Sequence, residues 1–119
     1  MVDCSNMFER CYEFNQYVRM GRGILYCRGM FKCCYKFNQY VDISYTVLDC
    51  TQMFYACESF NQVVTVTGSV EYADEMFFHC TNLKSDVKML THMLNIEKIF
   101  KHCPGAYDNM SNCYSYNNN

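Results

Sequence analysis

The sequence contains no tryptophan, one proline and five glycines in 119 residues. Collagen and flexible linkers need far more proline and glycine, so these classes are excluded. No apolar run reaches the length of about 18 residues that a membrane-spanning helix needs, and we expect no membrane span. Basic residues number 10 against 12 acidic ones, which gives a formal net charge of −2. This shortage of positive charge argues against a protein that binds nucleic acid through its phosphates.

The residues that are present suit a folded protein. Half are hydrophobic and 17% are aromatic, which is enough for the core of one domain at this length. The first residues, Met1 to Asn6, have neither the basic flank nor the apolar stretch of a signal peptide. We therefore expect an intracellular protein.

A repeat of 23 residues runs through the chain. A Met-Phe pair, with isoleucine in place of methionine in the last copy, recurs without insertion or deletion at Met7-Phe8, Met30-Phe31, Met53-Phe54, Met76-Phe77 and Ile99-Phe100. A cysteine follows at a fixed distance, at Cys11, Cys34, Cys57, Cys80 and Cys103. Stacked repeats would place such equivalent residues in continuous rows through a core.

A period of roughly 20–29 residues is typical of leucine-rich-repeat solenoids. We predict an α/β fold: a short right-handed solenoid of this type in which each unit is a strand, a turn and a short helix. The units are 7–29, 30–52, 53–75, 76–98 and a partial 99–113. They form a single domain, residues 1–113, followed by a polar tail, residues 114–119.

Apolar spacing within a unit locates its elements. Alternation predicts strands near 15–20, 38–43, 61–66 and 84–89, with Val41 and Ile43 pointing inward. Four apolar residues separated by steps of three, four and three predict one helical face: Val47, Cys50, Phe54 and Cys57.

The stretches Met7 to Gln16, Met30 to Gln39 and Met53 to Gln62 share the pattern Met-Phe-x-x-Cys-x-x-Phe-Asn-Gln. This pattern resembles the repeat of BspA-like leucine-rich-repeat proteins. The resemblance covers residues 4 to about 103, but the usual tryptophan is missing and the turn is shorter. It implies a non-catalytic display or interaction scaffold, of a kind found on bacterial and protist surfaces and in large DNA viruses.

Cysteine allows two interpretations. Eight of the ten cysteines fall in two core rows, where free thiols act as small apolar groups. Because stacked strands lie about 4.8 Å apart, the same rows could instead form disulfides in an oxidising compartment. We favour buried thiols and expect Cys33 and Cys113, which lie outside the rows, to be the accessible ones.

The predicted core ladder combines three kinds of row. It contains the five cysteines named above, the phenylalanines Phe8, Phe31, Phe54 and Phe77, and the asparagines Asn15, Asn38 and Asn61. We expect the asparagines to bond to turn backbone and to each other.

Catalytic and metal-binding signatures are sparse. The sequence lacks zinc-finger spacing, a Gly-rich phosphate loop and the common hydrolase motifs. The pairs His79-Cys80 and His102-Cys103 could supply metal ligands, but we favour the explanation that the cysteines point inward and the histidines outward. We expect no enzyme, no cofactor and no metal.

The outward side of the predicted strands is the candidate binding face. Its residues are Tyr17, Arg19, Tyr40, Asp42, Val63, Thr65 and Lys88. Tyrosine and arginine are common at binding hot spots, whereas tyrosines that stack between strands would merely stabilise a sheet. A second expected contact is the N-terminal end, where Met7 and Phe8 would lie uncovered.

These patterns predict a non-enzymatic structural or protein-binding module. We expect it to work inside a larger assembly, such as the virion of a large DNA virus, through protein partners or self-assembly. The alternative is a cell-surface or adhesion protein, and a third, less favoured class is a cysteine- or metal-dependent enzyme.

Overall fold

The computed structural model of the protein describes residues 2–91 and 95–105, in which residues one repeat apart lie side by side. The elements of this part are β1 (Val2–Asp3), β2 (Ile24–Tyr26), β3 (Val64–Val66), β4 (Val87–Met89) and α1 (Ile96–Ile99). β1 pairs in parallel with β2, and β3 pairs in parallel with β4. Each residue of β3 lies opposite the residue 23 positions later in β4, so the spacing of the sequence repeat is also the register of the sheet.

A second set of contacts repeats the first pairing along the molecule. Single bridges join Tyr26 to Asp49 and Asp49 to Tyr72, again in parallel and again 23 residues apart. The strand positions of β1 and β2 are therefore continued by one-residue bridges in the next two repeats.

Backbone hydrogen bonds alternate between two directions in residues 6–11, the segment that follows β1. The N–H groups of Asn6, Phe8 and Arg10 donate to carbonyls of the next repeat, at 2.8, 2.9 and 2.7 Å. The N–H groups of Met7 and Cys11 donate instead to the carbonyl three residues back in their own repeat. The same alternation recurs in the next three repeats. It satisfies nearly all backbone donors of a segment that would otherwise be costly to bury.

The bonds within a repeat close a series of tight turns with left-handed backbone at their third residue. This residue has φ between 55° and 62° at Asn6, Arg10, Gly29, Cys33, Gln52, Ala56, Glu75, His79 and His102. Positive φ at the third position is the requirement of a type II turn. For residues other than glycine, this conformation costs about 1 kcal/mol or more of conformational free energy. The cross-repeat hydrogen bonds offset that cost.

The prediction of a short helix in each unit is wrong for the residues from Val47 to Cys57, which form consecutive turns. Turns closed by bonds between residues i and i+3 produce the same apolar steps of three and four as a helix. They differ because they leave every second N–H free to bond to the neighbouring repeat. Within the described residues, a helical turn is found at α1, where Asn95 Oδ1 accepts from the N–H of Lys98 at 3.2 Å.

The strand predictions also differ in part from the structure. β3 and β4 lie inside the predicted segments 61–66 and 84–89, whereas 15–20 and 38–43 contain no assigned strand. β1 and β2 occupy positions that were expected to begin the helical side of each unit. The partial fifth unit is described as far as Gly105, and the tail 114–119 lies outside the described residues.

Phenylalanine forms the centre of the core. The rings of Phe8, Phe31, Phe54, Phe77 and Phe100 follow one another in one row, with centroids 5.4 to 5.7 Å apart. A second row, Phe14, Phe37 and Phe60, has spacings of 5.8 and 6.1 Å. The two rows touch within each repeat, as in the 4.2 Å contact between Phe31 and Phe37. Each fully buried ring contributes roughly 1.5–3 kcal/mol through burial.

Cysteine thiols form hydrogen bonds beside the phenylalanine row. The thiols of Cys34, Cys57 and Cys80 each donate to the carbonyl oxygen 26 residues earlier, on Phe8, Phe31 and Phe54, at 3.0 Å. Cys103 makes the same contact with Phe77. All nine cysteines in the described residues are free thiols. Only a reduced cysteine carries the hydrogen that these bonds use.

Cys11 departs from the predicted core ladder, because its side chain is exposed. The cysteines one, two and three repeats later are buried and donate to phenylalanine carbonyls. The pattern of equivalent positions did not show this difference between Cys11 and the later cysteines.

Asparagine side chains connect the repeats on another side of the core. Asn15 Oδ1 accepts from the N–H of Asn38 at 2.9 Å, and Asn38 Oδ1 accepts from the N–H of Asn61 at 2.8 Å. Glutamines strengthen these links, since Gln62 Nε2 also donates to Asn38 Oδ1 at 3.0 Å. Asn61 Oδ1 continues the row by accepting from the N–H of Lys84 at 2.7 Å.

Burial changes the acidity of the cysteines. It raises the pKa of Cys27 to about 12 and that of Cys34 to about 11. Burial also raises the pKa of Cys50, Cys57 and Cys80 well above the ordinary value. These thiols therefore stay neutral in the folded protein at a pH where an unfolded chain would have lost their protons.

We predict that the free energy of unfolding falls as the pH rises above the ordinary cysteine pKa of about 8.5. The folded-state pKa values are raised, so this stability is fully present below that pH and is lost as the pH rises toward them. Each thiol that ionises only on unfolding contributes a slope of up to about 1.4 kcal/mol per pH unit. Guanidinium unfolding of the reduced protein at about pH 7.5, 8.5 and 9.5 measures this slope.

Two variants assign the pH effect to buried thiols. Cys50→Ala and Cys57→Ala should each reduce the slope by the share of one thiol, because both side chains are fully buried. A stability that stays constant across this pH range would contradict the prediction.

The asparagine row gives a second prediction. Asn38→Ala removes the oxygen that accepts from Asn61 and Gln62, and we expect it to lower the free energy of unfolding by about 1–2 kcal/mol. Asn38→Asp keeps an acceptor at the same place and should lose less. Asn82→Ala, at an exposed position, should stay within about 0.5 kcal/mol of the unchanged protein. Equal losses for Asn38→Ala and Asn82→Ala in denaturant unfolding would rule out this role for the row.

A candidate protein-binding face

Two columns of side chains cover one outer side of the molecule. The first column contains Tyr17, Tyr40 and Val63, and the second contains Arg19, Asp42, Thr65 and Lys88. We call these seven residues the tyrosine face. In the paired strands β3 and β4, Thr65 lies directly opposite Lys88, which shows how neighbours within a column are placed.

Alternating burial turns these side chains outward. Val64 and Val66 are fully buried on either side of the half-buried Thr65, and Val87 and Met89 flank the exposed Lys88 in the same way. The segments one and two repeats earlier, 41–43 and 18–20, repeat this alternation, with the residues at 18 and 20 partly buried. The tyrosine face therefore rests on a row of packed apolar side chains.

The side chains in the first column of the tyrosine face are open to solvent. Tyr17 is 59% exposed, Tyr40 is 47% exposed and Val63 is 46% exposed. Tyr17 and Tyr40, both in the described part of the chain, make no ring contact with each other. Stacking between strands, the alternative explanation of these tyrosines, is thus not the arrangement that the structure shows.

The two charged residues nearest the tyrosines are also unpaired. Within residues 2–91 and 95–105, neither Arg19 nor Asp42 forms an ion pair. A partner could therefore pair with both charges without first breaking an existing ion pair. Arginine and tyrosine together are the side chains most often found at energetic centres of protein interfaces.

A second exposed aromatic pair was not singled out from the sequence. Tyr12 and Tyr35 are 49% and 38% exposed, and their rings stack at 5.1 Å with planes 10° apart. The available signal was the recurrence of tyrosine one repeat apart, immediately after the cysteine row. Because these rings already contact each other, they stabilise the turns as well as face solvent.

The other residues that were predicted to be accessible differ in their solvent exposure. Met7 is 54% exposed, while Phe8, which was expected to be uncovered, is partly buried against Phe14 and Phe31. Cys33 is half-buried and Cys113 lies outside the described residues.

Two histidines of the described residues, His79 and His102, lie on the outside of the turns. His79 and His102 are exposed next to the buried Cys80 and Cys103. His79 Nε2 lies 3.7 Å from the Glu58 carboxylate, and the His102 ring meets Phe78 edge-on at 5.2 Å. In the described part of the chain, no three cysteine, histidine or acidic side chains are close enough together to hold a metal ion.

Three surface depressions in the described part of the chain include no residue of the tyrosine face in their lining. One, of about 460 Å³, is lined by Asn95, Glu97, Lys98 and Lys101. Another of similar volume is lined by Gly68, Val70, Glu71, Tyr72 and Thr91. Among the residues that the structure describes, no helix has the length and apolar character needed to cross a bilayer.

A family model described as "Mycoplasma protein of unknown function, DUF285" matches residues 2–116. No curated protein and no solved structure matches the chain. The matched region includes every repeat and the whole tyrosine face. The chain therefore belongs to the DUF285 family of Mycoplasma proteins of unknown function.

Proposed function

We propose that the protein is a non-catalytic repeat scaffold that binds another protein through the tyrosine face. The observation that carries this proposal is the combination of exposed tyrosines with an unpaired arginine and an unpaired aspartate on a row of packed valines, of which Val18 is partly buried. A rigid support keeps the entropy cost of binding low, and exposed aromatic rings supply contact area. The scaffold is a short right-handed solenoid of the leucine-rich-repeat type, with turns in place of helices.

The cysteines and the repeat motif support a proposal about the setting in which the protein works. Thiols that donate to backbone carbonyls must be reduced, which suits a protein that works in a reducing compartment. The Met-Phe-x-x-Cys-x-x-Phe-Asn-Gln motif resembles BspA-like repeats, which imply display or interaction scaffolds. We therefore place the protein inside a larger assembly, such as a virion of a large DNA virus, where several neighbours contact it.

We predict that Arg19→Ala combined with Tyr40→Ala strongly weakens capture of the partner. The protein, tagged and expressed in its native source, is used as bait, and the proteins recovered with it are identified by mass spectrometry. The affinity of the purified partner is then measured by calorimetry. Two hot-spot residues together contribute about 2 kcal/mol or more, so we expect binding to weaken at least about thirtyfold.

Two exposed tyrosines outside the tyrosine face provide matched controls. Tyr45 is 79% exposed and Tyr72 is 62% exposed, and changing either to alanine should leave capture unchanged. A partner that is retained by the double variant but lost when Tyr45 or Tyr72 is changed would place binding elsewhere and overturn the proposal.

A further inference from the structure

We propose that the protein which covers the tyrosine face is a second copy of this chain, related to the first by a twofold axis parallel to the stacking direction of the repeats. This inference rests on the proposed function and identifies its partner. It follows from the way in which the two columns of the tyrosine face complement each other, repeat by repeat.

Each of the first three repeats carries one residue of each column, and the two have matching chemistry. The first repeat has the ring of Tyr17 and the cation of Arg19. The second has the phenol of Tyr40 and the carboxylate of Asp42, and the third has two uncharged side chains, Val63 and Thr65. In the fourth repeat the second column ends with Lys88, and Asp86, which is not part of the tyrosine face, holds the position 23 residues after Val63.

Consider a twofold axis that runs along the stack and passes above the buried residues between the columns. It places the first column of one copy opposite the second column of the other, and each repeat opposite the same repeat of the other copy. Each first-column residue then faces the second-column residue of the same repeat in the other copy, and every contact occurs twice, as twofold symmetry requires. The Tyr17 ring meets an arginine guanidinium in a cation–π contact. The Tyr40 hydroxyl donates to the carboxylate of Asp42 in the second copy, a charge-assisted hydrogen bond.

The other face-to-face arrangement is disfavoured by charge. A twofold axis along the strands would keep each column opposite itself and reverse the order of the repeats. Arg19 would then face Lys88, and the Asp42 carboxylate would face Thr65 instead of a phenol. Like charges held opposite each other in an interface lower its stability. The charge pattern therefore selects the arrangement in which equivalent repeats meet.

The size of the face sets the expected strength. Four repeats about 4.8 Å apart extend over roughly 19 Å, and the face is only two columns wide, so its area is smaller than the roughly 800 Å² per partner of a standard interface. We therefore expect a concentration-dependent dimer with a dissociation constant in the range of about 1–100 µM. Sheets that meet face to face lie about 10 Å apart, a distance that the tyrosine and arginine side chains can bridge.

Sedimentation equilibrium of the full chain under reducing conditions, from about 1 µM to about 1 mM, tests the dimer. The decisive variant is Tyr40→Asp, which places an aspartate opposite Asp42 of the other copy at two symmetry-related positions. We expect the dissociation constant of the dimer to rise at least about tenfold. Adding Asp42→Lys to this variant restores opposite charges across the axis and should recover most of the affinity. Tyr72→Asp, at an exposed position outside the tyrosine face, serves as the matched control and should change nothing.

Each contrary result has a defined meaning. A chain that is monomeric at all concentrations, or a dimer that Tyr40→Asp leaves intact, overturns the pairing. Loss of the dimer without recovery in the Tyr40→Asp, Asp42→Lys double variant overturns the twofold arrangement. If the chain is monomeric while Arg19→Ala with Tyr40→Ala loses a different protein, the proposed function stands without this inference. If the chain is monomeric and the Arg19→Ala, Tyr40→Ala double variant retains every captured protein, both the proposed function and this inference are wrong. Circular dichroism of each variant confirms that the fold is retained.

Discussion

Hydrogen bonds that cross from each repeat to the next are the constraint on which the rest of the structure depends. The N–H groups of Phe31 and Phe54 each reach the carbonyl of a methionine in the next repeat, at 2.9 and 2.8 Å. Once these bonds are made, the distance between neighbouring repeats is set by the backbone. Phenylalanine rings one repeat apart must then lie about as far apart as stacked aromatic rings prefer. The rows of the core follow from backbone pairing, and the side chains fill the space that this pairing defines.

The same constraint decides the local conformation. A helix would direct every N–H along its own axis and leave none for the next repeat. Consecutive turns use alternate N–H groups internally and release the others, at the cost of left-handed backbone at residues such as Arg10, Gln52 and Ala56. Thiol and amide side chains then complete the pairing, since Cys57 donates to a carbonyl and Asn38 accepts from an N–H of a neighbouring repeat.

Much of this arrangement, but not all, could be predicted from the sequence. The 23-residue period predicts which side chains lie in one row, and apolar alternation predicts that Tyr40 and Asp42 point outward. Spacings of three and four cannot distinguish a helix from consecutive turns, so the helix from Val47 to Cys57 was predicted wrongly. Asn6 and Gly29 are the kinds of residue that adopt left-handed backbone easily, but Gln52 and Glu75 at the equivalent positions are not, which obscured the turn signal. Whether two exposed rings touch depends on the rotation of their side chains, which a sequence pattern does not show. The sequence therefore could not tell that Tyr12 and Tyr35 stack. Nor could it tell that Tyr17 and Tyr40 do not.

The cross-repeat ladder also restricts how such a chain can change in length during evolution. Duplicating or deleting 23 consecutive residues brings identical donors and acceptors together again, so the remaining junctions keep their geometry. Gain or loss of a single amino acid inside a turn would offset every subsequent phenylalanine, cysteine and asparagine from its counterpart. Genetic variation in this architecture should therefore be tolerated either as substitution or as the gain and loss of complete modules, with little in between.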